Sequence, residues 1–332
     1  MKRRWLWVKI GIAVVLVVVA AVQFLDLGRM GELLLAVSIP FLLATVAASA
    51  LDQTLMGWKW NFLLKTFGID VPARVPILAY WRGRLLRLVA PSILGLDAYR
   101  AYYLKQHGAP LVTVLSSIFV ERSLGILSSL GMISLLAPFA LGGAGVPVPP
   151  WLWPLAVAGF ATAWGFVWLS LRYAHVPGRR ERIPLLMERF QKPCLSFLKA
   201  LEKVKGDRRR VYLYYLVSNA EKLLYGTCVY FAARAVGVEG IGWLYLVAAV
   251  PVVALLERLP ISFQAIGVRE GLYVVALQPF DVDPNVAVAV GLVVRAAEIL
   301  LILMSFGSWI PGRRGRGLRE RIRTAEQEMA SA

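Results

Sequence analysis

Between residues 5 and 310 the chain alternates long apolar stretches with short connections. Most of the stretches reach about 20 residues, the length an α-helix needs to cross the hydrocarbon of a bilayer. They fall at 5–25, 33–55, 111–136, 151–171, 211–236, 241–256 and 285–310. The expected class is an all-α polytopic membrane protein with about six to eight transmembrane helices. Composition agrees: 58% of the 332 residues are hydrophobic, against roughly 45–50% in a soluble domain.

The chain holds 37 Lys and Arg against 20 Asp and Glu, a net charge of +17. In a soluble protein such a balance would point to nucleic acid. Here the basic residues crowd into a few connections, as expected of loops kept on the cytosolic side, and nucleic acid is set aside. Lys2, Arg3 and Arg4 precede the first stretch, and Arg313, Arg314, Arg316, Arg319, Arg321 and Arg323 follow the last. Both termini are therefore expected in the cytoplasm, with an even number of crossings of the cell membrane. The first stretch is longer than the apolar core of a secretory signal and reads as a retained helix. Residues 138–150 carry Gly142, Gly143, Gly145 and four prolines but no charge, and read as an outer loop. Trp58 beside Lys59 marks the headgroup level.

The largest polar stretch, 172–210, holds twelve Lys or Arg and four Asp or Glu. Within it Ile183, Leu186, Phe190, Cys194, Phe197 and Leu201 recur at three- and four-residue steps. That is the pattern of a basic amphipathic helix, lying in the membrane surface or packed beneath the bundle. The chain thus reads as one membrane unit, 1–311, with halves 1–171 and 211–311 around this loop, and a basic tail at 312–332. Cys194 and Cys228 are too isolated for a disulfide framework or a zinc site, and His107 and His175 read as interfacial.

Two apolar segments are interrupted. The first contains Pro91, Ser92, Gly95, Asp97 and Arg100; the second contains Pro260, Ser262, Gly267, Arg269 and Glu270. Proline removes a backbone donor, glycine loosens a helix, and charge is costly in hydrocarbon. Such segments persist at membrane depth only when buried in protein or lining a wet cavity. Basic residues flank the first on both sides, which suggests a re-entrant hairpin, with Arg82, Arg84 and Arg87 as interfacial anchors. Further charges follow each break: Glu121 and Arg122 after the first, Arg295 and Glu298 after the second, with Glu257 and Arg258 just before it. Proline, glycine, arginine and then a charged pair recur in the same order, an internal repeat that two facing, inverted elements would explain.

Each charged site holds both signs, so two readings apply. The ion pairs lock the bundle, or they serve a ligand. A broken helix presents unpaired N–H groups, and arginine beside them makes an anion site. On the second reading Pro91, Ser92, Gly95, Asp97, Arg100, Glu121, Arg122, Pro260, Ser262, Gly267, Arg269, Glu270, Arg295 and Glu298 are candidate substrate-binding residues for the anionic headgroup of a membrane lipid.

The two interrupted segments give the chain a family likeness. Pro91-Ser92-Ile93-Leu94-Gly95-Leu96-Asp97-Ala98-Tyr99-Arg100 is similar to the first motif of the flippase-like transmembrane domain of lysylphosphatidylglycerol synthases, the multiple peptide resistance factor group. Leu259-Pro260-Ile261-Ser262 with Gly267-Val268-Arg269-Glu270-Gly271 resembles the second motif, and Glu121-Arg122 also fits. The chain departs from the family pattern at Leu96, Gln264 and Ala265. The resemblance covers nearly the whole chain and implies the lipid-translocating part of that family. No aminoacyltransferase domain follows Pro311, so synthase activity is not implied.

Three function classes stay open on the residues: a lipid translocator, a membrane glycosyl- or acyltransferase acting on a lipid-linked substrate, and a scaffold for a partner lipid-modifying enzyme, any of them as a homo-oligomer. No cofactor is expected, since no nucleotide-binding GxxxxGK[ST] motif occurs. Asp281-Val282-Asp283 is formally a metal-binding DxD motif. Asp283 before Pro284, however, reads as a helix cap with proline at the first helical position.

Overall fold

The computed structural model describes residues 27–89, 94–173, 207–257 and 267–306. Ten α-helices and one short 3-10 turn occur among them. They are α1 (Leu27–Leu35), α2 (Ile39–Thr66), α3 (Arg74–Val89), α4 (Leu94–Gln106), α5 (Leu111–Gly143), α6 (Leu152–Tyr173), α7 (Arg208–Ala235), α8 (Trp243–Leu256), α9 (Val268–Leu277) and α10 (Pro284–Phe306). The protein is a polytopic, all-helical membrane protein. Four helices, α2, α5, α6 and α10, are long and apolar enough to cross a bilayer. The expected first span, the amphipathic stretch around Cys194 and His175, and the tail lie outside the described residues.

Lipid tails are as apolar as leucine, so burial of apolar surface does not hold helices together here; close packing and hydrogen bonds do. The central contact is an antiparallel pair, α2 against α7. Ser38 N–H donates to Ala235 O at 2.8 Å at one end. Ser49 Oγ meets Cys228 Sγ at 3.0 Å further along. Lys59 Nζ donates to Ser218 Oγ at 3.2 Å towards the other end. Two glycines let shorter helices press onto this pair. A Cβ at Gly57 of α2 would lie 2.5 Å from Ile77 Cα of α3, and one at Gly226 of α7 would lie 2.6 Å from Val247 Cα of α8.

Two large apolar cores and one small one, around Met132, Leu136, Val247 and Ala248, result among the described residues. One large core gathers Trp60, Leu64, Leu104, Leu124 and Tyr215 from α2, α4, α5 and α7. The other gathers Val229, Leu246, Tyr273, Leu277 and Val294 from α7 to α10. Large apolar side chains such as Leu155, Trp168, Leu216, Leu303 and Met304 stay exposed on the outside of the bundle, as a lipid-facing surface requires.

The first interrupted segment forms a hairpin of helices: α3 and α4 lie side by side, with Arg82 NH1 donating to Tyr103 OH at 3.3 Å. At 16 and 13 residues, and about 1.5 Å per residue, neither helix spans a hydrocarbon core of about 30 Å. The turn itself, with Pro91 and Ser92, lies outside the described residues. So does the break in the second segment, with Arg258, Pro260 and Ser262, between α8 and α9.

Several expected boundaries move. The apolar stretch at 33–55 is in fact two helices, parted where Ser38 is extended and Pro40 opens α2. The helix then continues past 55 to Thr66, with Asp52, Gln53, Lys59 and Asn61 buried inside the bundle. Helix α5 does not stop before the expected loop; it runs through Pro138 to Gly143. Arg84, expected as an interfacial anchor, is buried, with Nε donating to Gln53 Oε1 at 2.7 Å.

Gly57→Val is expected to lower the thermal midpoint of the detergent-solubilised protein, at a cost of about 2 kcal/mol from overpacking. Gly125→Ala, where nothing lies within 4 Å of the added carbon, should leave it unchanged or raise it. Fluorescence-detected size exclusion after graded heating reads both.

Candidate functional site

Helices α4 and α5 each carry an acid and a base, and the four charges are cross-paired. Asp97 and Arg100 lie three residues apart on α4 and so share a face. Arg100 NH2 donates to Asp97 Oδ1 at 2.9 Å, and NH1 donates to Glu121 Oε1 at 3.1 Å. Arg122 Nε donates to the second oxygen of Asp97 at 2.7 Å. Arg100 also lies against an edge-to-face aromatic pair, 4.5 Å from the Trp60 ring and 4.3 Å from that of Tyr80. Tyr80 OH donates to Glu121 as well. The Arg100 side chain is 2% exposed, with both terminal nitrogens bonded to carboxylates and Nε without a partner among the described residues, whereas the Arg122 side chain is 40% exposed.

The second interrupted segment repeats the arrangement on α9 and α10. Arg269, again 2% exposed, takes Glu257 in a two-pronged bond at 2.8 and 3.0 Å and reaches Glu298 at 3.2 Å. Arg295 NH2 donates to Glu270 Oε1 at 2.8 Å, and its side chain is 20% exposed. Glu270 Oε2 also accepts the Gly267 N–H at 2.8 Å, closing the first turn of α9. Gly267 has φ 80°, a conformation that disfavours any other residue. Each cluster therefore has one inner arginine held by two carboxylates and one outer arginine held by a single carboxylate.

The structure thus gathers Asp97, Arg100, Glu121 and Arg122 in one cluster, with Gly95 half-buried at the start of α4. It gathers Gly267, Arg269, Glu270, Arg295 and Glu298 in the other, and adds Glu257, which the sequence suggested only as a further charge. Pro91, Ser92, Pro260 and Ser262 lie outside the described residues.

A third group, absent from the candidate residues, occupies the α2–α7 contact. Glu221 accepts from Lys59 on one oxygen and from Lys222 at 3.0 Å on the other. Asp52 lies one to two turns along α2, with Arg84 and these three groups as its charged neighbours. The group thus draws on α2, α3 and α7. Its signal in the sequence was the seven-residue spacing of Asp52 and Lys59, which places both on one helical face. It was masked by the neighbouring Trp58 and Trp60.

At Asp281–Asp283 the geometry is that of a cap. Asp283 Oδ1 accepts from Asn285 N at 2.8 Å and from Asn285 Nδ2 at 2.9 Å, and Arg29 of α1 bridges to its other oxygen at 3.0 Å. The Asn285 N–H first, with the Arg29 charge, holds its carboxyl below the usual carboxylate range. No cluster of three His, Cys, Asp or Glu able to hold a metal occurs among the described residues.

These features define a multi-pass membrane domain built around a buried network of ion pairs. The chain belongs to the family described as the lysylphosphatidylglycerol synthase TM region, which it matches over residues 6–305. No curated protein matches it individually.

Removing one partner from a buried ion pair strands the other charge, at a cost of about 3–5 kcal/mol. Arg100→Ala is therefore expected to abolish a stable, monodisperse protein in detergent, while Arg122→Gln should retain it. Yield and size-exclusion profile are the readouts.

Proposed function

We propose that this protein carries lipids with anionic headgroups across the bilayer, guided by the two ion-pair clusters. One observation supports this most: each cluster offers a partly exposed arginine that is held by only one carboxylate. A phosphate can take the place of Asp97 on Arg122, because Asp97 keeps Arg100 as its partner, or can join Glu270 on Arg295, so that the incoming anion meets a cation already in place. Arg100 and Arg269, each held by two carboxylates, then act as the fixed frame, with Glu121, Glu257 and Glu298 as their counter-charges.

The architecture fits this reading when the helices are threaded from a cytosolic N-terminus. Helices α2, α5, α6, α7 and α10 then make five crossings among the described residues, and one more before α2 would put both termini on the cytosolic side. The α3–α4 hairpin then opens to the cytosol, and the α8–α9 element to the outside. Under this threading α2 corresponds to α7, α3–α4 to α8–α9, and α5 to α10. That is an inverted repeat whose axis passes through the antiparallel α2–α7 contact. The capping role of Asp283 supports transport over an enzymatic reading that would rest on Asp281 and Asp283.

Reconstituted protein should accelerate the flip of a fluorescent phosphatidylglycerol in liposomes, read by dithionite quenching. Arg122→Gln, losing a charge-assisted contact, should slow it by roughly tenfold or more. Transport that is absent with every anionic lipid, or unchanged in Arg122→Gln, would overturn the proposal.

A further inference from the structure

One carboxyl group of the network is unlike the others. Asp97, Glu121, Glu221, Glu257, Glu270 and Glu298 each have a Lys or Arg in contact. Asp52 sits midway along the 28-residue α2 and is 8% exposed, and its Oδ1 has no hydrogen-bond partner among the described residues. Next to it, Gln53 gives its oxygen to Arg84 and leaves Nε2 unpaired. The groups facing Asp52 come from every neighbouring helix. Arg84 lies on α3, Lys59 on α2 itself, and Glu221 and Lys222 on α7, and all act on it through space rather than through a hydrogen bond. Cys228 of α7 is held by Ser49. Helix α10, packed on both α2 and α7, carries Arg295 and Glu298, whose ion pairs point into the second cluster.

With Asp52 ionised, this centre holds three cations against two carboxylates; a proton on Asp52 adds one further positive charge. A singly anionic headgroup arriving with that proton leaves the total unchanged. The cost of carrying net charge through a low-dielectric interior, and against the membrane potential, is then avoided. We propose that Asp52 is a proton-binding site that couples lipid movement to protons, one proton accompanying each singly anionic headgroup. The inference rests on the transport reading above for its coupling, but not for the proton site itself. The step is an acid–base exchange. An O–H bond forms at Oδ1 with a proton from hydronium at one membrane face. It breaks when that proton passes to water at the other face, and no electrons change hands.

Two measurements on the full-length protein test it. In liposomes containing fluorescent phosphatidylglycerol and a trapped pH dye, wild type should move about one proton per lipid flipped, the ratio that charge balance requires. Its flip rate should respond to an imposed pH gradient. In Asp52→Asn the proton movement and the gradient response should both disappear. Separately, infrared difference spectra between acid and alkaline buffer should show a carboxylic-acid C=O band in wild type. That band should be missing in Asp52→Asn and displaced in Asp52→Glu, the variant to use if Asp52→Asn does not fold. Lipid flip without proton movement in wild type would overturn the coupling, as would an Asp52→Asn protein that still moves protons with lipid. If wild type flips no lipid, the transport reading fails on its own. The infrared band then decides the proton site, and a band unaffected by substitution at 52 overturns it.

Discussion

A charge in a bilayer needs a partner, and this protein is arranged around meeting that need at several places at once. Arg100 and Arg269 are each buried to 2% exposure and each held by two carboxylates from different segments. Those bonds bind the half-length helices α4 and α9 to the long helices α5 and α10. Without them the short helices, too brief to span hydrocarbon by themselves, would have little to fix their depth. The same requirement explains the α2–α7 contact, where Glu221 stands between two lysines. Lys59, Lys222 and Glu221 along this contact are thereby matched, while Asp52 Oδ1 beside them is not.

Both clusters pair charges across consecutive helices but reverse the order of those charges, and the second adds a third carboxylate, Glu257. On α4 the acid precedes the base, on α9 the base precedes the acid, and the following helices reverse likewise. What is kept between the halves is the crossing of partners, not the residue at a given position. The difference in exposure between inner and outer arginine is also kept, which gives each half the same division between a frame and a contact surface.

Much of this was legible in the chain. Hydropathy located the long helices, and the charges at Asp97, Arg100, Arg269 and Glu270 fell on half-length helices, while Pro91 and Pro260 lie outside the described residues. What hydropathy could not convey was burial of polar residues inside a long helix. A run such as Asp52-Gln53 followed by Lys59 reads as the end of a span, because the matching partners, Glu221 and Lys222, come about 160 residues later. Arg84 was misplaced for the same reason: its acceptor, Gln53, lies on another helix. Pro138 suggested a turn, yet near the end of the 33-residue α5 one missing N–H is tolerated and the helix continues.

Gly57 and Gly226 occupy comparable places on the central pair, each against the backbone of a shorter neighbour. Neither site has room for even a methyl group. The latitude of this protein to change over generations is therefore uneven. Its membrane-facing leucines, valines and phenylalanines can interchange with little penalty, while two of the smallest side chains in the molecule are among the least replaceable.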